Sequence, residues 1–179
     1  ITEFGGSPHG DTLEHIRNQL HLGLWSGFIF GFPSTPCFWW FPLVEEQQLY
    51  FEYAALARFT AGESRTGMVL QRSTLAGGLL LNELRGTDRR LVWLFDPGYW
   101  YAGNLNAVPK VWEKVTLPLG DLTGQQVQVQ FWDCQKGEML SQQRLSSIDF
   151  ANPAAATLTL PAFSRDLAIK LRFSKTSGD

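Results

Sequence analysis

From residue 66 onward, apolar and polar residues alternate almost one by one. Val127, Val129 and Phe131 are interleaved with Gln126, Gln128 and Gln130. Leu167, Ile169, Leu171 and Phe173 are interleaved with Ala168, Lys170 and Arg172, and Leu158 and Leu160 with Thr157 and Thr159. Successive strand residues point to opposite faces, so this period predicts strands with one face buried and one wet. Val115, Leu117 and Leu119 repeat the pattern, and 68–73 and 79–84 read as further strands. Leu91-Val92-Trp93-Leu94-Phe95 is apolar throughout and suits a central strand. About seven or eight strands divided by turn signals predict an antiparallel β-sandwich over 66–179.

The first 65 residues follow a different grammar: strand, helix, strand, helix. Ile1 to Phe4 is short and apolar, and Gly5-Gly6-Ser7-Pro8 is a loop. Asp11 reads as a helix N-cap with Glu14 three positions on. Leu13, Ile16, Leu20, Leu24 and Phe28 then form one apolar helical stripe, which Gly31 and Pro33 end. Cys37-Phe38-Trp39-Trp40-Phe41 is a short, wholly apolar strand candidate, and 45–61 reads as a second helix. The polar stretch 62–67 (Gly-Glu-Ser-Arg-Thr-Gly) marks the expected boundary between a 1–65 segment and a 66–179 sandwich.

Composition narrows the function classes. Hydrophobic residues make up 44% of the 179, enough to bury a core. A net charge of −2 gives no basic face with which to neutralise phosphates, so nucleic acid is not an expected partner. Prolines and glycines interrupt the longest apolar stretch, 28–44, so no membrane-spanning helix is expected. Cys37 and Cys134 have neither disulfide-framework nor metal spacing, and no cofactor or metal is expected. His15 and His21 share no ligand spacing and read as outward polar positions. The lack of an initiator Met and leader predicts a piece of a longer chain.

Three groups of residues carry candidate chemistry. Glu3 ends a short apolar strand and is followed at once by Gly5 and Gly6, which leave room for a ligand to approach; the plainer reading is a solvated glutamate. An indole is a platform for the apolar face of a sugar, so Trp39 or Trp40 could hold a glycan, the alternative being that both are core. His9 lies in the loop after Glu3, where it could meet sugar hydroxyls. Tyr99-Trp100-Tyr101 follows the strongest strand and is either a glycan platform or packing.

The order Thr-Glu-Phe-Gly, loop, helix ending Leu-Trp-Ser-Gly, Phe-Trp-Trp, helix resembles the end of retaining glycoside hydrolases of the cellulase and β-mannanase superfamily. That resemblance spans residues 1 to about 62. It implies an α/β plus all-β chain: the last two βα units of a TIM-type barrel followed by the accessory β-sandwich. It implies that Glu3 is the nucleophile, that Trp39 or Trp40 stacks a carbohydrate substrate, and that the acid/base sits in a missing N-terminal barrel portion. Two carboxyl groups about 5 Å apart are needed for retaining cleavage, so the chain alone is expected to be inactive. Asn82-Glu83 has the form of an acid/base dipeptide, but its place in chain order speaks against that role. The alternative is a non-catalytic carbohydrate-binding or interaction module. A secreted or cell-surface setting is expected, although two cysteines do not determine the compartment.

Overall fold

A computed structural model describes residues 3–5, 12–32, 37–100 and 108–175. The elements in chain order are β1 (Glu3–Phe4), α1 (Leu13–Ile29), β2 (Cys37–Phe38), α2 (Phe41–Glu46), α3 (Tyr50–Thr60), β3 (Val69–Thr74), β4 (Leu80–Arg85) and β5 (Arg89–Phe95). They continue with α4 (Pro97–Trp100), β6 (Val111–Trp112), β7 (Thr116–Gly120), β8 (Gln125–Asp133), β9 (Glu138–Ser146), β10 (Ala156–Thr159), β11 (Phe163–Ser164) and β12 (Asp166–Lys175).

A six-stranded antiparallel sheet in the order β3-β4-β5-β12-β8-β9 is the backbone of the molecule. Both faces of its inner strands are covered, while β3 and β9 stay largely exposed. On one side Leu81, Val92, Leu94, Val129, Ile169 and Leu171 join a core with Leu117, Leu119 and Leu158 of the antiparallel pair β7–β10. The small pair β6–β11 adds Trp112 and Phe163 to the same core. On the other side Leu84, Leu91, Trp93, Phe95 and Ala168 pack with Leu20, Leu24 and Trp25 of α1 and Leu56 and Phe59 of α3. This explains why β5 reads as a continuous apolar run: its alternate residues enter two different cores. It also corrects the expectation of a wet face on β12. Ala168 and Lys170 lie under the helices and are buried, Lys170 being neutralised by Glu63 at 3.1 Å.

The barrel expectation is overturned at the same interface. No TIM-barrel βα unit forms among the described residues: the helical faces that would clothe parallel staves are occupied by the antiparallel sheet. A helix stripe is satisfied by any apolar surface of matching shape, and Trp93, Phe95 and Leu91 provide one. What remains of the parallel arrangement is β1 paired with β2, two residues each.

Local chemistry accounts for smaller departures. The N-cap of α1 is Thr12, whose hydroxyl accepts the His15 N–H at 3.2 Å. The second helix is split in two, because Gln48 takes a left-handed φ of 53° between α2 and α3. The strand expected over 37–41 stops at Phe38. Trp39 and Trp40 form a turn, and Pro42 sits in the opening turn of α2, where its missing N–H costs nothing.

Candidate functional site

The first candidate is the rim at the end of β1. Its parallel register sets Glu3 opposite Cys37 and Phe4 opposite Phe38, and the Trp39 N–H donates to the Phe4 carbonyl at 2.8 Å. Gly5 follows with φ 130°, a conformation that favours glycine. A Cβ there would lie 3.3 Å from Trp40 Cδ1 and 3.4 Å from Trp39 Cβ, so both tryptophans border the end of the Glu3 strand. Glu3 is exposed, Trp39 keeps 54% of its surface open, and Trp40 is half-buried. The strand is seated from beneath. The Phe4 ring packs on Phe38 with centroids 5.2 Å apart, and it lies so close over Gly23 of α1 that a Cβ there would come within 1.9 Å of it. Glu3 is the sole carboxylate on β1 and β2. On α2 the Glu45 carboxylate instead accepts the Tyr50 hydroxyl.

The remaining sequence candidates do not join this rim. Tyr99 and Trp100 are buried. Trp100 stacks on His21 at 4.8 Å, and the Arg165 guanidinium lies over Tyr99 at 4.9 Å. They pack the corner after β5, which is the packing role of the two the sequence left open for these rings. His9 and Tyr101 lie outside the described residues. Glu83 is buried in β4 and bound by Arg85 (Nε at 3.1 Å), while the Asn82 side-chain Oδ1 accepts from Arg72 Nε, so that dipeptide is committed to the sheet.

The densest polar cluster is one that the sequence reading missed. His21, expected to face outward, is only 2% exposed. Its Nδ1 lies 2.8 Å from Glu52 Oε2 of α3 and its Nε2 lies 2.7 Å from Asp166 Oδ2 of β12. Arg17 Nε donates to the other Glu52 oxygen at 2.9 Å, and the Trp93 indole N–H donates to Asp166 at 3.0 Å. Burial alone pushes the imidazole down, but Asp166 and then Glu52 outweigh it and lift His21 to about 9. Burial likewise pushes the Glu52 carboxyl up; His21 and Arg17 overcome it and hold the group below its ordinary value. Cys134 is enclosed beside this cluster, and burial followed by Asp166 pushes its thiol well up. A signal for His21 was present: Leu24, Trp25 and Phe28 stand three, four and seven residues on, which puts the histidine inside the apolar stripe.

Chemically, the rim offers an accessible carboxylate and an open indole, whereas the His21 cluster is closed to solvent and offers cohesion. Among the described residues no group of three or more His, Cys, Asp or Glu side chains could hold a metal, and no helix is long and apolar enough to cross a membrane. Compared with models of known protein families and with curated proteins, the sequence matches none.

Proposed function

We propose that the chain contributes a carbohydrate-binding edge, with Glu3 as nucleophile, to a protein that cleaves O-glycosidic bonds with retention. The observation that carries this reading is that a Cβ at Gly5, two residues past Glu3, would lie 3.3 Å from Trp40 Cδ1 and 3.4 Å from Trp39 Cβ. A carboxylate and a half-open indole therefore border one exposed rim. In this reading Trp39 covers the C–H face of a sugar ring, and the hydroxyl face stays in water. The Glu3 carboxylate attacks the anomeric carbon as the glycosidic C–O bond breaks, forming a glycosyl ester that water later hydrolyses. The proton for the leaving oxygen comes from a second carboxyl group about 5 Å away, carried by another polypeptide segment. The module reading, with Tyr99 and Trp100 as the platform, is disfavoured by the burial of both rings.

The test is a pair of assays on the 179-residue chain. Calorimetry against soluble β-linked oligosaccharides should give weak binding that falls about tenfold in Trp39→Ala, or about 1.4 kcal/mol. Binding unmoved by that change removes Trp39 as the platform. The chain alone should not turn over aryl glycosides, and turnover by it contradicts the need for a second segment. In the protein that supplies the acid/base, full activity of a Glu3→Gln variant eliminates Glu3 as nucleophile.

A further inference from the structure

Protonated or not, a histidine offers hydrogen-bond partners at both ring nitrogens, but only the imidazolium donates at both. His21 has a carboxylate oxygen within 2.8 Å of each nitrogen. A neutral ring would turn one lone pair toward a buried carboxylate, with Trp100 stacked over it at 4.8 Å and little room to rotate. The two carboxylates belong to different layers, Glu52 to the helices and Asp166 to the sheet.

We infer that His21 is a cationic latch: its protonation holds α1 and α3 onto the six-stranded sheet, and its deprotonation releases the helical layer. The inference is independent of whether the rim binds sugar.

The charges around the ring support one fixed proton. From α1 itself Arg17 reaches Glu52, and Glu14 accepts from the Tyr99 hydroxyl at 3.4 Å. From α3 only Glu52 faces the ring, and from β12 only Asp166. Lys170, on the same face of β12, is engaged by Glu63, and from β5 the Trp93 indole donates to Asp166. Past the end of β8, Cys134 lies beside Asp166 as a neutral thiol, and Asp133 caps its own turn by accepting from the Gln135 and Lys136 N–H groups. At the start of α4 the Asp96 carboxylate is taken by Gly98 N–H and Trp112 Nε1, and Arg165 covers Tyr99. With His21 charged, Arg17 and His21 balance Glu52 and Asp166. With it neutral, the cluster holds an uncompensated buried negative charge.

The sign follows from linkage. The native imidazole titrates near 9 against 6.5 for an ordinary histidine, so the latch is complete below 6.5 and weakens as pH rises, being lost as pH passes 9. Over that window the native preference contributed by this group falls about tenfold per pH unit, about 300-fold in all.

Two measurements on the whole chain test it. Long-range nitrogen–proton NMR at pH 7.5 should show His21 as an imidazolium. Hydrogen exchange, corrected for intrinsic rates, should show protection of the α1 and α3 amides falling about tenfold per unit between pH 7 and 9. A His21→Gln variant, if folded, should lose that slope. The wild-type titration decides the matter if the variant does not fold. A neutral His21 ring at pH 7.5, or α1 and α3 protection that is flat across the window, overturns the latch.

Discussion

The β8–β9 turn presses on α3 at a single glycine, and substituting it measures whether the helices truly rest on the sheet. Gly137 has φ 64°, and a Cβ added there would lie 2.4 Å from Ala55 Cα and 2.7 Å from the Ala55 carbonyl oxygen. Carbon atoms in contact sit about 3.5–4.0 Å apart, so the helix backbone must retreat by more than about 1 Å. It cannot swing aside as a flexible side chain would, and Arg58 ties the helix to the same turn by donating to the Lys136 carbonyl at 2.8 Å. Gly124 provides the control: its φ is 65°, and nothing lies within 4 Å of its would-be Cβ. Gly→Ala at either position incurs about 1–2 kcal/mol of left-handed strain, offset by about 0.4–1 kcal/mol from the stiffer unfolded chain. Only Gly137→Ala adds overpacking, about 1–3 kcal/mol. Urea denaturation should therefore show Gly124→Ala losing about 0–1.6 kcal/mol and Gly137→Ala losing about 1–3 kcal/mol more than that, with similar slopes against denaturant. Equal losses would mean that α3 does not sit on the turn, and the helix-on-sheet architecture would be refuted.

Two further outcomes are expected. Glu52→Gln removes one of the two carboxylates that raise His21, so the histidine should titrate lower than in the native chain. Because stability from a raised histidine is lost between its ordinary value of 6.5 and its folded value, the alkaline fall in melting temperature should be smaller and should level off at a lower pH; an unchanged depth and end point in melts from pH 6 to 10 counts against the assignment. In thiol labelling with a chromogenic disulfide, the exposed Cys37 should react in the native protein and the buried Cys134 only after unfolding, and rapid native labelling of both would contradict the closed cluster.

Much of the β architecture was legible because strand chemistry is local. The Val-Gln alternation of β8 and the Leu-Ile-Leu alternation of β12 name their inward residues directly, and Val129, Ile169 and Leu171 are all fully enclosed. The uniform run of β5 read as a central strand, and the stripe of α1 named Ile16, Leu20 and Leu24. Short signals were less dependable. Five aromatic residues in a row suggested one strand over 37–41, but Pro42 at a helix start and Gln48 at a left-handed φ rearranged that region into turn, helix, break and helix.

What only the tertiary structure decided is which surfaces meet. A helical stripe states that something apolar must cover it, not whether that cover is a ring of parallel strands or an antiparallel sheet, because burial is non-directional. Trp93 and Phe95, far along the chain, resolved it in favour of the sheet. The same holds for His21, whose partners stand 31 and 145 positions away. The sequence reading placed it outward; its charge became tolerable inside only because folding brought two distant carboxylates to its two nitrogens.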